Sequence, residues 1–241
     1  MDRIEATEVL EVLATNKRDN MTTRRKKRQQ EKQERGVKPI TAKTPNQKEY
    51  IISIIENDIT FCCGPAGSGK SFVAAGIAAN HLHKGGIENI IITRPLVCTG
   101  KDIGALPGEL HEKIAPYLTP MQENVKFFLG QSLYGYYNNE GRLRYEPLEV
   151  MRGATFHDSY MILDEAQNCT FEQIKMFITR MGENSKIIIN GDIDQTDLKG
   201  LSGLEDCMDR LEDVEGVGVC ELTHEDIQRN GILGRVLAAL D

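Results

Sequence analysis

Residues 64–71 have the types and spacing that bind phosphate. They read Gly-Pro-Ala-Gly-Ser-Gly-Lys-Ser and match the G-x-x-x-x-G-K-S pattern of a P-loop. The glycines permit backbone dihedrals closed to other residues, so successive N–H groups can point at phosphate oxygens beside a helix N-terminus. Lys70 is then expected to reach the β- and γ-phosphates of ATP, and the Ser71 hydroxyl to ligate Mg²⁺. The predicted nucleotide-binding residues here are Gly64, Pro65, Ala66, Gly67, Ser68, Gly69, Lys70, Ser71 and Phe72.

Two adjacent carboxylates, Asp164 and Glu165, follow the apolar run at residues 160–163. A strand that ends in this pair is typical of the Walker B element of P-loop enzymes. We predict that Asp164 holds Mg²⁺ through a water molecule and that Glu165 orients and deprotonates the attacking water. A glutamate at this position favours hydrolysis over transfer of the phosphoryl group to a bound substrate. It therefore weakens the alternative of a nucleoside or small-molecule kinase.

Two glutamines are further candidates, each with a structural alternative. Gln195 follows a predicted strand at residues 186–190 and is expected to sense the γ-phosphate, although a turn rich in Asp and Gly explains it as well. Gln47 stands three residues after Thr44, where a capping box accounts for it. The other interpretation is that the amide of Gln47 holds the adenine edge, and spacing alone leaves both open.

The elements predicted around these residues form an α/β pattern. Apolar or β-branched runs predict strands at 59–63, 88–95, 160–165, 186–190 and 217–222. Capping signals and periodicity predict helices at 44–56, 72–82, 170–181 and 225–240, and one that begins at Ser202. Residues 96–150 do not fit a simple β-α-β unit. We expect a helix over 109–129, broken near Pro116 and Pro120, and then a β-hairpin over 134–145. The four tyrosines and two arginines of that hairpin could stack nucleotide bases, or the tyrosines could simply favour strands.

Length and charge limit the possible classes. With 241 residues, the chain suffices for one full α/β domain. The net charge is −7, yet residues 1–39 hold 11 Lys and Arg against 7 Asp and Glu. This basic arm begins with a predicted short helix, and it either binds a polyanion or is a solvated tail. The six cysteines lack zinc-type spacing, and no signal-peptide or membrane-spanning run is present. We therefore expect a cytoplasmic protein that does not enter the membrane.

Several motifs together closely resemble the PhoH family of ATPases. Besides the P-loop they are Thr93-Arg94-Pro95, residues 151–156 (MRGATF), residues 162–168 (ILDEAQN) and residues 191–198 (GDIDQTDL). The resemblance covers roughly residues 40–241 and leaves 1–39 without a counterpart. It implies a three-layer RecA-like P-loop NTPase core with a mostly parallel sheet, related to superfamily 1 helicases, with an inserted helix and hairpin region at about 96–150. The family is associated with phosphate starvation and RNA metabolism, and this chain looks like a compact bacterial or phage form.

Roles for individual residues also follow from the resemblance. Gln47 matches the adenine-binding glutamine, and Asp164 and Glu165 match the magnesium and water residues. Gln195 matches the sensor. Arg229 lies where the family places an arginine in the final helix, although Gln228 and Asn230 replace the usual valine and histidine. The resemblance thus implies catalytic roles for Lys70, Glu165, Gln195 and Arg229.

A superfamily 1 motor takes an arginine from a second RecA-like domain, and this chain has length for only one. We therefore expect a homo-oligomeric ring, most simply a hexamer, in which a subunit lends its arginine to the next site. The candidate arginines are Arg94, Arg152, Arg229 and Arg235. The leading hypothesis is an ATPase coupled to single-stranded RNA or DNA, with RNA preferred. The alternatives are a nucleotide-dependent switch that binds a protein partner and, less favoured, a nucleoside kinase.

Overall fold

Six strands form one sheet in the computed structural model, which describes residues 36–95, 110–195 and 202–227, and of residues 110–116 the backbone alone. The sheet order is β3-β2-β4-β5-β1-β6, and every neighbouring pair of these strands is parallel. The strands are β1 (Ile59–Cys63), β2 (Asn89–Arg94), β3 (Leu143–Pro147), β4 (Ser159–Leu163), β5 (Lys186–Gly191) and β6 (Val217–Glu221).

Five helices of the described residues cover the sheet. They are α1 (Pro45–Glu56), α2 (Lys70–Lys84), α3 (Leu110–Asn139), α4 (Phe171–Ile178) and α5 (Gly203–Leu211). The predicted caps are present: the hydroxyls of Thr44, Thr170 and Ser202 each accept a hydrogen bond from a first-turn N–H. Short 3-10 turns follow three of the strands, at Leu148–Met151, Ala166–Asn168 and His224–Asp226.

Alternation along the strands divides the core into two layers. Ile90 and Ile92 face the cluster that contains buried side chains of α1, α2 and α3, whereas Ile91 faces the cluster under α4 and α5. A parallel sheet buried on both faces needs helices on both sides. The predicted α/β fold, three layers with a mostly parallel sheet, is therefore confirmed.

Helix α3 packs closely on α2 because Gly76 leaves room for an aromatic ring. A Cβ at Gly76 would lie 2.7 Å from the ring of Phe128, closer than side chains pack. Phe128 is buried in the same cluster as Val125 and Met121. This contact holds one face of α3 beside the first turns of α2, where the P-loop ends.

The β-hairpin expected over residues 134–145 is wrong. Helix α3 continues through residue 139, and β3 then pairs in parallel with β2. Tyr134 and Tyr137 share a helical face with Leu133 and pack on the core, so the tyrosines serve a helix rather than a stacking hairpin. The expected breaks near Pro116 and Pro120 are also wrong, because the helix is interrupted at Gly130 instead.

Two further boundaries differ from expectation. Helix α4 ends at Ile178, and Met181 instead forms an isolated parallel bridge with Phe156. Of the last predicted helix, Glu225 lies in a 3-10 turn, and the part from residue 228 onward lies outside the described residues. The basic arm to residue 35 lies outside them as well. None of the helices described is long and apolar enough to span a bilayer.

Candidate active site

The predicted site residues that the structure describes meet at one edge of the sheet, where β1, β2, β4 and β5 end. A pocket of 480 Å³ opens there, between the P-loop, α3 and the ends of these strands. It is the position at which parallel α/β sheets bind ligands. Its lining includes Gln47, Lys70, Ser71, Phe72, Arg94, Asp164, Glu165 and Gln195.

The P-loop turns tightly between β1 and α2. Gly67 and Gly69 have φ angles of 86° and 101°, which other residues rarely adopt. At Gly64 a Cβ would lie 2.2 Å from the carbonyl oxygen of Leu222, so only glycine fits. The Lys70 ammonium donates hydrogen bonds to the carbonyl oxygens of Gly64 and Pro65. The loop thus curls around its own lysine at the start of α2.

Ser71 and Asp164 form the contact between the P-loop and the end of β4. The Ser71 hydroxyl donates to Asp164 Oδ1 at 2.7 Å, and only 2% of Asp164 is exposed. A hydroxyl and a carboxylate are hard oxygen donors of the kind that Mg²⁺ prefers. The residue types and their proximity therefore fit a magnesium ion.

Arg94, the last residue of β2, holds both carboxylates. Its Nη2 lies 2.7 Å from Asp164 Oδ2 and 3.0 Å from Glu165 Oε1, and its Nε lies 3.0 Å from the same Asp164 oxygen. Its Nη1 donates to the carbonyl oxygen of Tyr117 in α3. The planar guanidinium suits several fixed acceptors at once. Arg94 therefore links the two carboxylates to α3 within its own chain.

Glu165 adopts a left-handed conformation, with φ 60° and ψ 39°. This conformation is uncommon for a residue other than glycine, and it occurs often at functional sites. Its Oε1 accepts from Arg94, and its Oε2 accepts from Gln167 Nε2 at 2.8 Å. Gln167 also accepts from the N–H of Asp192 at 3.0 Å. Sequence reasoning assigned no role to Gln167, and its place within the ILDEAQN motif was the one signal available.

The turn after β5 brings Gln195 and Asp192 to the pocket. Gln195 is exposed and its N–H donates to the carbonyl oxygen of Asp192 at 3.1 Å. Asp192 is only 5% exposed, and its Oδ2 has no hydrogen-bond partner within the described ranges. Sequence reasoning treated Asp192 as an ordinary turn residue and therefore missed this buried carboxylate at the pocket.

Gln47 braces the P-loop from α1. Its Nε2 donates to the carbonyl oxygen of Ser68 at 2.8 Å, and its Oε1 accepts from the N–H of Lys43 at 2.9 Å. Thr44 caps the helix as predicted, while the Gln47 side chain bonds to Lys43 rather than back to Thr44. Gln47 also lines the pocket, and its adenine-binding role stays a prediction.

Burial disfavours the charged forms of three side chains near the P-loop, those of Tyr50, Cys62 and Cys63. Burial is the main reason why the pKa of the Cys63 thiol rises to about 11, and burial likewise raises the pKa of Cys62. Tyr50 is fully buried and donates to Asn190 Oδ1 at 2.6 Å, and burial raises its pKa too. These buried groups therefore add no charge to the site.

The four arginines proposed as fingers fall into three groups. Arg94 lies in the pocket of its own chain. Arg152 is exposed beyond the 3-10 turn Leu148–Met151 and does not line the pocket. Arg229 and Arg235 lie outside the described residues, so their roles stay predictions.

Known proteins of one family match this chain over most of its length. The family model described as "PhoH-like protein" matches residues 39–241. The PhoH-like protein of Bacillus subtilis (strain 168) is 42% identical over 206 residues, which cover 85% of this chain and 65% of that protein. Protein PhoH of Escherichia coli (strain K12) is 41% identical over 209 residues, with 85% and 59% covered. The chain thus spans less than two thirds of the length of these relatives.

Solved structures show more distant likeness. The large terminase of bacteriophage HK97 is 15% identical, with a TM-score of 0.49, over 76% of this chain and 39% of the terminase. The Pif1 helicase of Candida albicans is 14% identical, with a TM-score of 0.38, over 76% of this chain and 40% of the helicase.

Proposed function

Because the chain belongs to the PhoH-like protein family, we propose that it binds ATP in this pocket and hydrolyses it to ADP and phosphate. One observation carries the proposal: Ser71, Arg94 and Gln167 together hold the carboxylates of Asp164 and Glu165 beside the P-loop. Fixed groups of this kind are what phosphoryl transfer requires, since its catalysis is mostly positioning and charge stabilisation.

The phosphates bind at the start of α2 in this proposal. Backbone N–H groups of residues 67–71 and the positive end of the helix attract the triphosphate. Lys70 exchanges its bonds to the carbonyl oxygens of Gly64 and Pro65 for bonds to the β- and γ-phosphates. That exchange replaces neutral acceptors by charged ones, which make stronger hydrogen bonds.

Glu165 acts as the general base. Arg94 and Gln167 each donate to one of its oxygens, so the carboxylate is held in one orientation while it accepts the proton of the attacking water. Gln195, in the turn after β5, contacts the γ-phosphate and the water in this proposal, and its position in the pocket lining supports that role. Ser71 and Asp164 would hold Mg²⁺, which supplies charge neutralisation on the phosphates when bound.

Phosphate release from ATP tests this proposal. The wild-type protein is expected to release phosphate in a Mg²⁺-dependent manner, and Lys70→Ala to lose at least about 100-fold of the rate, because the lysine contacts the transferred group. Lys84→Ala, an exposed residue at the other end of the same helix, is the matched control. Equal rates for Lys70→Ala and wild type would refute ATP hydrolysis at this site.

The finer proposal is that hydrolysis is coupled to single-stranded RNA or DNA. It is supported by the family and by the basic residues 24–28, which can contact phosphates without reading sequence. The hairpin that was expected to stack bases is absent from the described residues, so this surface no longer supports the proposal. Single-stranded RNA or DNA is expected to raise the hydrolysis rate severalfold. An ATP hydrolysis rate that neither RNA nor DNA changes would contradict the coupling.

A nucleotide-dependent switch is the second candidate, favoured by one contact. Arg94 bonds the carboxylates on one side and the carbonyl oxygen of Tyr117 on the other, so in this candidate function Arg94 transmits a change at the phosphates to α3. A switch would give slow hydrolysis, unaffected by nucleic acid, and ATP-dependent capture of a protein partner.

Sedimentation of the protein with and without ATP also tests the proposed ring, in which Arg152, Arg229 or Arg235 serves a neighbouring site.

A further inference from the structure

A second pocket adjoins the first over the surface of α3. It measures 410 Å³ and is lined by Phe72, Glu123, Asn124, Lys126, Phe127 and Gln131. Phe72 and Asn124 line both pockets, so they stand at the rim where the two meet. Asp164 and Glu165 line the first pocket but not the second, and none of the roles described above uses Asn124.

The position of the rim along α3 suits the base of a nucleotide bound at the proposed site. At one end, the carbonyl oxygen of Tyr117 accepts from Arg94 beside the two carboxylates. Asn124 lies seven residues further on, which is about 10 Å along a helix. That is the reach of a triphosphate and its ribose. Phe72 directly follows Ser71, so it lies where the chain of phosphates leaves the P-loop.

The rim includes a cluster of aromatic rings. The ring of Phe72 lies 4.6 Å from that of Phe128 and 5.4 Å from that of Phe127. Phe127 is 48% exposed, and the Lys38 ammonium lies 3.7 Å from its centroid. A base stacks on such a surface whatever its identity, because every base has a π-face. The rings therefore supply affinity and leave discrimination to a polar group.

Asn124 is the polar side chain at the rim that could distinguish one base from another. Its half-buried side chain has no hydrogen-bond partner within residues 36–95, 110–195 and 202–227, whereas the Gln47 amide is already bonded at both its nitrogen and its oxygen. A carboxamide offers a donor and an acceptor side by side, which match the N7 acceptor and N6 donor of adenine. We infer that Phe72 stacks the base and that Asn124 reads its edge, so that this chain prefers ATP to GTP. The inference rests on the proposed nucleotide site.

Two substitutions at Asn124 test the reading of the edge. Equilibrium dissociation constants for Mg²⁺-ATP and Mg²⁺-GTP are measured by calorimetry on the full chain. Wild type is expected to prefer ATP, and Asn124→Ala to lose about tenfold of that preference, as a lost pair of hydrogen bonds to a base predicts. Asn124→Asp offers acceptors only, which suit the N1–H and N2 donors of guanine, so its preference moves toward GTP.

The controls separate the inference from the proposal beneath it. Asn138→Ala makes the same change at an exposed position of α3, outside both pockets, and is expected to keep the wild-type ratio. If wild type binds neither nucleotide, the proposed function fails. If wild type binds both equally, or both Asn124 variants keep its preference, Asn124 does not read the base and the inference is overturned; loss of the preference in Gln47→Ala would then assign the reading of the base to Gln47.

Discussion

The two ends of the proposed nucleotide pocket are built differently. At the phosphate end, the carboxylates of Asp164 and Glu165 accept five hydrogen bonds from side chains of Ser71, Arg94 and Gln167. At the end proposed to hold the base, the ring of Phe72 packs on those of Phe127 and Phe128, and the side chain of Asn124 has no hydrogen-bond partner among the described residues. One end is fixed by paired charges and the other offers an open surface.

The difference separates catalysis from recognition. Charged groups that are bonded on several sides hold their geometry, and a misplacement of about 1 Å at a reacting centre can cost about 100-fold in rate. An open aromatic surface changes how tightly the ligand binds without altering the reacting atoms. Substitutions at the phosphate end should therefore lower kcat, whereas substitutions at the base end should raise KM.

Arg94→Ala should have the largest effect among the positioning residues. It leaves Asp164 buried without its cation and removes one of the two side chains that hold Glu165, so we expect kcat to fall by about 100-fold. Arg94→Lys keeps the positive charge but lacks the planar guanidinium, so its kcat should lie between those of Arg94→Ala and wild type. The control is Arg144→Ala at the exposed edge pair with Glu146. A kcat unchanged in Arg94→Ala would break the comparison.

The role of Arg94 shows what the sequence could predict and what it could not. The P-loop and the Asp164–Glu165 pair were recognisable because their spacing is local. The neighbourhood of β2 and β4 depends on strand order, which no local pattern specifies, so Arg94 could only be named as a finger for another subunit. Residues 134–139 were misassigned because tyrosine favours strands, while packing of Tyr137 on the core fixed a helix.

Gln167→Ala should have an intermediate effect. It removes one of the two side chains that orient Glu165 and also the acceptor for the N–H of Asp192. We expect kcat to fall by about tenfold, and KM for ATP to stay within about twofold, since Arg94 still holds the other oxygen. Steady-state hydrolysis over a range of ATP concentrations gives both constants. A rise in KM with kcat intact would place Gln167 in binding instead.

Phe72→Leu should have the smallest effect and the opposite signature. Leucine keeps the packing against Phe128 but removes the stacking face, so we expect KM for ATP to rise about fivefold to tenfold with kcat unchanged. The ratio of ATP to GTP affinity should not change, because stacking tolerates any base. Fluorescence-detected nucleotide binding measures both affinities. A large loss of kcat would show that the two ends are not separable.

The central claim is that Glu165 activates the attacking water at a site that binds ATP independently of it. Glu165→Gln keeps the shape of the side chain and its bond to Arg94 while removing the base. The matched control, Glu172→Gln, makes the same change at an exposed position of α4.

The decisive measurement is ATP affinity and phosphate release on the same preparation of Glu165→Gln. We predict a dissociation constant within about threefold of wild type, because the P-loop and Lys70 that would bind the phosphates are unchanged, and turnover at least about 100-fold slower, as loss of a general base requires. Turnover within a few fold of wild type, with ATP bound, would contradict the account.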